Sequence, residues 1–146
     1  MSMDEKRLEK ISKLIERMAL QCERGIPLIV EGRKDEFTLK QLGVKGKIFM
    51  IKSHGESLLT FLEKLNRFKE VIILTDFDKE GNELASLIID ELSRRGIKVN
   101  DELRNKLKKL VNSEVSSIED LKCFFERLKS KTFNRRLYTT TMHIKL

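Results

Sequence analysis

Cysteine is scarce in this chain of 146 residues: Cys22 and Cys123 stand far apart, with no CxxC and no Cys/His cluster around them. That excludes a disulfide framework and gives no zinc-ligand spacing, so a reducing cytoplasm is the simplest setting. Long apolar runs are also missing. The opening MSMDEKRLEKISKLIERMAL is charged throughout and offers no apolar block for a signal peptide, and no stretch approaches the length a membrane span needs. There is neither an internal repeat nor a low-complexity linker. The length fits one domain of ordinary size with a real core and no need for staples. Glutamine is rare while Lys, Glu and Ile are abundant, a balance shared with thermophile proteins that speaks of the host and not of the activity.

What is present is charge, unevenly placed. The net charge is +7, yet residues 27–103 carry 13 Lys/Arg against 14 Asp/Glu and residues 104–146 carry 11 against 4. A neutral, acid-rich segment followed by a basic one suits a polyanionic partner such as nucleic acid. The competing reading is a merely solvated surface. The tail from Phe133 to Leu146, with Arg135 and Arg136, extends such a footprint or docks as a strand.

Hydrophobic periodicity gives the architecture. Leu8, Ile11, Leu14, Ile15 and Met18 recur at helical spacing in residues 4–23, and Gly25 stops that helix. The single proline, Pro27, leads into Leu28-Ile29-Val30, a first strand ending in Glu31-Gly32. A helix over 33–43 follows, with Phe37, Leu39 and Leu42 for the core. Residues 47–51 form a second strand, 56–68 a helix through Leu58, Leu59, Leu62 and Leu65, and 71–75 the most apolar strand. The next helix presents Leu84, Leu87, Ile88 and Leu92 on one face. Ile97-Lys98-Val99 is a fourth strand, and helices over 101–111 and 117–129 close the chain. Strands alternating with helices through short connections predict an α/β fold: an open, mostly parallel four-stranded sheet with helices on both faces. An N-terminal helix (1–26) and a basic helical extension (101–146) flank the central unit, 27–100.

The third strand runs straight into acids: VIILTDFDKEG, residues 71–81. Carboxylates at i and i+2 of an extended chain share a side, roughly 7 Å apart, and at an effective dielectric near 20 they repel by about 2 kcal/mol. A hard divalent cation turns that repulsion into attraction. A polar turn with a helix cap accounts for the same residues. Open parallel sheets gather function beyond the carboxyl ends of their strands. That rule brings Glu31 together with Asp76 and Asp78, a convergence more specific than DxD alone.

The segments Leu28-Ile29-Val30-Glu31-Gly32-Arg33-Lys34-Asp35 and Ile73-Leu74-Thr75-Asp76-Phe77-Asp78-Lys79-Glu80-Gly81 resemble the two signature motifs of the Toprim domain. That domain is shared by topoisomerases, bacterial-type primases, certain nucleases and recombination proteins. The resemblance spans roughly residues 27–100 in matched order, spacing and strand context. It implies phosphotransfer on nucleic-acid backbones, with Glu31 as general acid/base or further ligand and Asp76 and Asp78 as Mg²⁺ ligands, Mn²⁺ being an alternative ion. Glu80 stands where the DxDxEG version has an acid and is a further candidate ligand. A metal stabilises the charge built on the phosphate oxygens while a nearby carboxylate moves the proton. Gly32 and Gly81 are expected to let the backbone bend so that the acids face the opening.

Arg33, Lys34 and Lys79 are candidate phosphate contacts, as are Arg135 and Arg136. Each also reads as a solvated helix residue, and for Lys79 that reading is preferred. Asp35 completes the site or simply suits a helix start. His54 sits in the loop after the second strand, and Phe77 is expected to pack inward. The only tyrosine, Tyr138, lies in the tail, and no tyrosine-bearing topoisomerase domain, cysteine-rich primase module or ATPase domain is present. In Val30-Glu31-Gly32-Arg33-Lys34-Asp35 and Thr75-Asp76-Phe77-Asp78-Lys79-Glu80-Gly81 the chain resembles the VEGKxD-type and TDxDxxG-type motifs of the small stand-alone Toprim ribonucleases that mature ribosomal RNA. The implied activity is Mg²⁺-dependent phosphodiester cleavage, on RNA rather than DNA. The alternative is a noncatalytic module that binds nucleic acid or a ribonucleoprotein assembly. A phosphoacceptor domain also collects aspartates at strand ends, but it wants the acidic pair after its first strand, where only Glu31 stands.

Overall fold

A computed structural model describes residues 1–52 and 55–145, with side chains through Leu137. His54 and the side chains of Tyr138 and His143 fall outside the described residues. In order, the elements are α1 (Met3–Glu23), β1 (Leu28–Val30), α2 (Arg33–Gln41), β2 (Ile48–Met50), α3 (Leu58–Glu63) and β3 (Glu70–Ile73). They continue with α4 (Lys79–Arg94), β4 (Lys98–Asn100), α5 (Glu102–Val111), a 3-10 turn (Ile118–Asp120) and α6 (Leu121–Lys145). The four strands form one sheet in the order β2-β1-β3-β4, and every pairing is parallel.

The short apolar strands sort their side chains by a period of two. Leu28, Val30, Ile72 and Leu74 point to one face, where they pack in one core with residues of α1, α2, α5 and α6. Ile29, Val71 and Ile73 point to the other and meet α3 and α4. The expected α/β architecture is what the chain adopts. Ser2 caps α1 by accepting from the Glu5 N–H at 3.1 Å, and Gly25, at φ +98°, ends it. No helix among the described residues is long and apolar enough to cross a membrane.

Four expectations need correction. Phe37 is 62% exposed, because α2 turns Asp35, Thr38 and Leu39 inward and leaves Phe37 off that stripe. Leu59 and Leu87 are also exposed. In α4 the inward stripe is Gly81, Ala85, Ile88 and Leu92: small residues let the helix lie close, and a pattern that counts only leucines misses them. Finally, the tail forms no docked strand. It continues α6 as helix through Lys145.

Candidate metal and nucleic-acid site

The order β2-β1-β3-β4 fixes where a site can open. From β1 the chain crosses to β2 through α2 on one face; from β2 it crosses past β1 to β3 through α3 on the other. Neighbouring β1 and β3 send their outgoing connections, α2 and α4, to opposite faces, which puts the topological switch point of the sheet, and the crevice there, at their carboxyl ends. Glu31 directly follows β1, and Asp76 lies just beyond β3. The two meet there: the Asp76 N–H donates to Glu31 Oε2 at 2.7 Å. Glu31 is only 5% exposed, so its charge has been taken largely out of water and must be met by partners.

Those partners are visible. Lys52 Nζ lies 3.6 Å from Glu31 Oε1 and 3.4 Å from Glu80 Oε1. Burial pulls the Lys52 ammonium down, but Glu31 and Glu80 together hold it above the usual lysine value. Asp76 Oδ1 accepts from the Ile118 N–H at 2.8 Å, which ties the 3-10 turn to the site. Burial raises the Asp76 carboxyl to about 7; the Ile118 amide works against this, while Glu31 and Asp35 push the same way as burial. Asp35 is buried and accepts from the Gly32 N–H at 3.0 Å. Burial raises its carboxyl too, opposed by the Gly32 amide and reinforced by Glu31 and Glu119.

Asp78 has a second occupation. It is the N-cap of α4, with Oδ1 accepting from the Gly81 N–H at 2.7 Å, so the cap that competes with a metal role is in fact made. The two glycines differ. Gly32 has extended backbone and a Cβ there would meet nothing, whereas a Cβ on Gly81 would lie 2.0 Å from the Asp76 carbonyl oxygen. The expectation that both are needed for bending is corrected: Gly81 serves close approach, and Gly32 has no such requirement. The buried Thr75 hydroxyl closes the same turn by donating to the Gly81 carbonyl at 2.8 Å.

Periodicity and motif spacing miss Arg104. From α5 its Nε donates to the Thr75 carbonyl at 3.0 Å, and Nη2 donates to the Asp76 carbonyl and, at 2.7 Å, to Asn82 Oδ1. It is 4% exposed and its guanidinium lies 5.8 Å from the centre of the Phe77 ring; Phe77 is buried, as expected. Burial lowers its pKa, against the pull of Glu31, Asp101, Asp76 and Asp78. Lys108 Nζ joins it on Asn82 Oδ1 at 3.0 Å. The available signal was position: Arg104 sits on the inward stripe with Leu103, Leu107 and Val111.

The remaining predicted residues are more dispersed. Glu80 is exposed and reaches Lys52; Arg33 and Lys34 are exposed in the first turn of α2, and Lys79 in that of α4. Arg135 and Arg136 pair with Asp4 at 3.6 Å and Glu5 at 3.4 Å in the first turn of α1. Among the described residues, no three His, Cys, Asp or Glu side chains form a group that could hold a metal ion as they stand. The donor chemistry nonetheless suits a hard cation. Glu31, Asp76 and Asp78 each commit one oxygen to a backbone amide; the second oxygen of Glu31 faces Lys52, and Mg²⁺ typically takes only one or two carboxylates, completing its shell with water and phosphate.

The Toprim domain family matches residues 27–119. A UPF0292 protein of Methanosarcina barkeri is 38% identical over 128 residues, 87% of this chain and 88% of the relative. Another, from Methanocaldococcus jannaschii, is 41% identical over 77% of this chain and 88% of its own length. Among solved structures, a putative protein from Aquifex aeolicus superposes with a TM-score of 0.64 at 24% identity, over 75% of this chain and 95% of that one, a likeness of fold. The chain belongs to the Toprim domain family, a membership that points to a metal-dependent function related to nucleic acid.

Proposed function

We propose that this protein is a Mg²⁺-dependent phosphodiesterase acting on nucleic acid, RNA in preference to DNA. The observation that carries the reading is the hydrogen bond between the Asp76 amide and Glu31, which joins carboxylates from the two family motifs at the β1/β3 crevice. Glu31, Asp76 and Asp78 would hold the ion, with Glu80 at the rim. The ion supplies charge stabilisation at the phosphate oxygens and at the leaving oxygen. Glu31 keeps Oε2 on the Asp76 amide, so Oε1 is the oxygen that exchanges a proton with the reacting group. Arg104 fixes the turn that carries Asp76 by holding the Thr75 and Asp76 carbonyls. Arg33, Lys34 and Lys79 bind backbone phosphates beside the acids. A groove of about 550 Å³ between α1 and α5 is lined by Leu14, Leu110, Lys10, Lys13, Arg17, Lys106 and Lys109. Lys13 pairs with Glu9, and Arg17 and Lys106 share Glu102; the remaining positive excess supports a grip on a longer strand.

Purified protein incubated with labelled RNA and DNA, in Mg²⁺, Mn²⁺ or EDTA, tests this reading. Cleavage that needs the ion and disappears in Asp76→Asn and Asp78→Asn supports it; no cleavage of either polymer, or unchanged cutting by the double variant, refutes it. One observation favours a second reading. Lys52 stands between Glu31 and Glu80 and offsets one of their two charges, a built-in countercharge that also suits a noncatalytic module binding RNA or a ribonucleoprotein assembly. Stable binding with no turnover in either ion selects that alternative. Binding of either kind must weaken steeply with salt, because phosphate contacts release counterions.

A further inference from the structure

A groove opens beside the acid cluster, and its two walls are both fastened to that cluster. One wall is the outward face of α2, which starts right after Glu31 and Gly32 and presents Arg33, Lys34 and Phe37. The other is the 3-10 turn with the start of α6, carrying Glu119, Asp120, Lys122 and Glu126. Ile118 anchors this second wall through its N–H on Asp76 Oδ1, and the Thr38 hydroxyl crosses the floor to the Glu119 carbonyl at 3.3 Å. The space between them is about 710 Å³. Phe37 is 62% exposed within it, and no other ring or cation among the described residues covers its face.

Arg33 and Lys34 stand on the α2 wall at the end nearest Glu31 and the open face of Phe37 follows them; across from it stand Glu119, Asp120 and Glu126, with Lys122 pairing Glu126 at 3.9 Å. We propose that this groove holds one unpaired nucleotide of a single-stranded nucleic acid, with its phosphate on Arg33 and Lys34 and its base stacked on Phe37. The facing carboxylates accept hydrogen bonds from the amino group of the base. A paired base has both faces and its edge already engaged, so the groove selects single strand over duplex. Aromatic stacking is tolerant of base identity, since every base has a π-face, so the main selection is for strandedness, with the carboxylates favouring bases that carry an amino group over uracil and thymine. The inference rests on the reading that the acid cluster addresses nucleic acid, and it assigns Phe37 as the residue that determines the form of the substrate.

Fluorescence anisotropy in EDTA separates the two ideas. The probes are a labelled oligodeoxyadenylate, an abasic strand of equal length, and the blunt duplex. Wild type should bind the oligodeoxyadenylate about tenfold more tightly than the abasic strand or the duplex. Phe37→Ala should erase that difference while leaving abasic binding unchanged, and Phe37→Trp should restore it. Because Phe37 is exposed, the fold should tolerate both changes, and Phe37→Trp keeps the test open if the alanine variant melts early. Equal binding by wild type and Phe37→Ala, an equal loss on base-bearing and abasic strands, or no single-strand preference overturns the inference. Mg²⁺-dependent cleavage with no Phe37 effect removes the groove proposal alone. Phe37-dependent binding without cleavage removes the nuclease reading alone; no binding to any of these probes overturns the groove proposal, and the nuclease reading then stands or falls on the RNA cleavage test.

Discussion

At the end of β1 the chain passes from Glu31 through Gly32 into α2; at the end of β3 it passes from Asp76 through Asp78 and Gly81 into α4. Both turns place an acid at the crevice and cap a helix with a carboxylate: Asp35 accepts from Gly32 in the first, and Asp78 accepts from Gly81 in the second. They differ in tolerance. The first turn has room around its glycine. The second is threaded tightly, with α4 against the Asp76 carbonyl, the Thr75 hydroxyl on the Gly81 carbonyl, and Arg104 across the outside. Two segments that look alike as acid-glycine motifs therefore meet opposite packing demands, and substitution can expose the difference.

The largest effect is expected at the glycines themselves. Gly81→Ala places a Cβ 2.0 Å from backbone that no rotamer change can move, so the turn or the helix must shift. Loss of about 3 kcal/mol or more is expected, at the severe end of overpacking. Gly32→Ala meets open space and should cost only a few tenths to about 1 kcal/mol as a poorer N-cap. Urea titration of both variants measures the contrast; equal losses would dissolve it.

Arg104 comes next, since it serves only the second turn. Arg104→Met keeps the apolar stem packed but leaves the Thr75 and Asp76 carbonyls without their donor, while Asn82 Oδ1 keeps Lys108. Stranded buried acceptors cost about 1–3 kcal/mol each, partly relieved by water, so a total near 3 kcal/mol is expected. The proposed phosphodiesterase activity should fall further than stability does, because Asp76 loses its fixed position. A variant with wild-type stability and rate would show that the guanidinium is ornamental.

The architecture was legible because it rests on period: β1 and β3 alternate between two cores, and the helices that cover them are amphipathic. Glu31 and Asp76 could be brought together from motif order and the strand-end rule alone. What escaped was whatever periodicity cannot weigh. Arg104 looks like one more cation of a basic segment until α5 turns it inward. Gly81 and Ala85 carry no hydrophobic weight yet line the inner face of α4, and the leucines credited with that role partly face water. Lys52 went unassigned because its two acids are far apart in sequence, and its pairing with them exists only once β1, β2 and α4 are assembled.

A smaller effect separates Asp76 from the rest of its turn. Its carboxyl is raised to about 7, from an ordinary value of 3.8. Between those values the folded protein holds a proton that the unfolded chain has released. The stability of the metal-free protein must therefore fall as pH rises from about 4 to 7. Asp76→Asn does not titrate and can still accept from the Ile118 N–H. In EDTA it should melt a few degrees above wild type at pH 7.5, and the gap should close near pH 4. Added Mg²⁺ should raise the melting temperature of wild type and leave the variant unmoved. Thermal scans at both pH values, with and without the ion, decide this.

The smallest effect concerns the countercharge that the first turn borrows. Lys52 is largely exposed, and its ion pairs with Glu31 and Glu80 span 3.6 and 3.4 Å, so as a surface contact it adds well under about 1 kcal/mol to stability. Its larger role is competition, since an ammonium next to Glu31 opposes the entry of a second cation. Lys52→Gln should bind Mg²⁺ a few-fold more tightly, read by calorimetry in low salt, with the advantage shrinking as added salt screens the charge. If the variant instead binds the ion less well, Lys52 helps to hold Glu31 in its binding position, and the first turn depends on its partners as closely as the second.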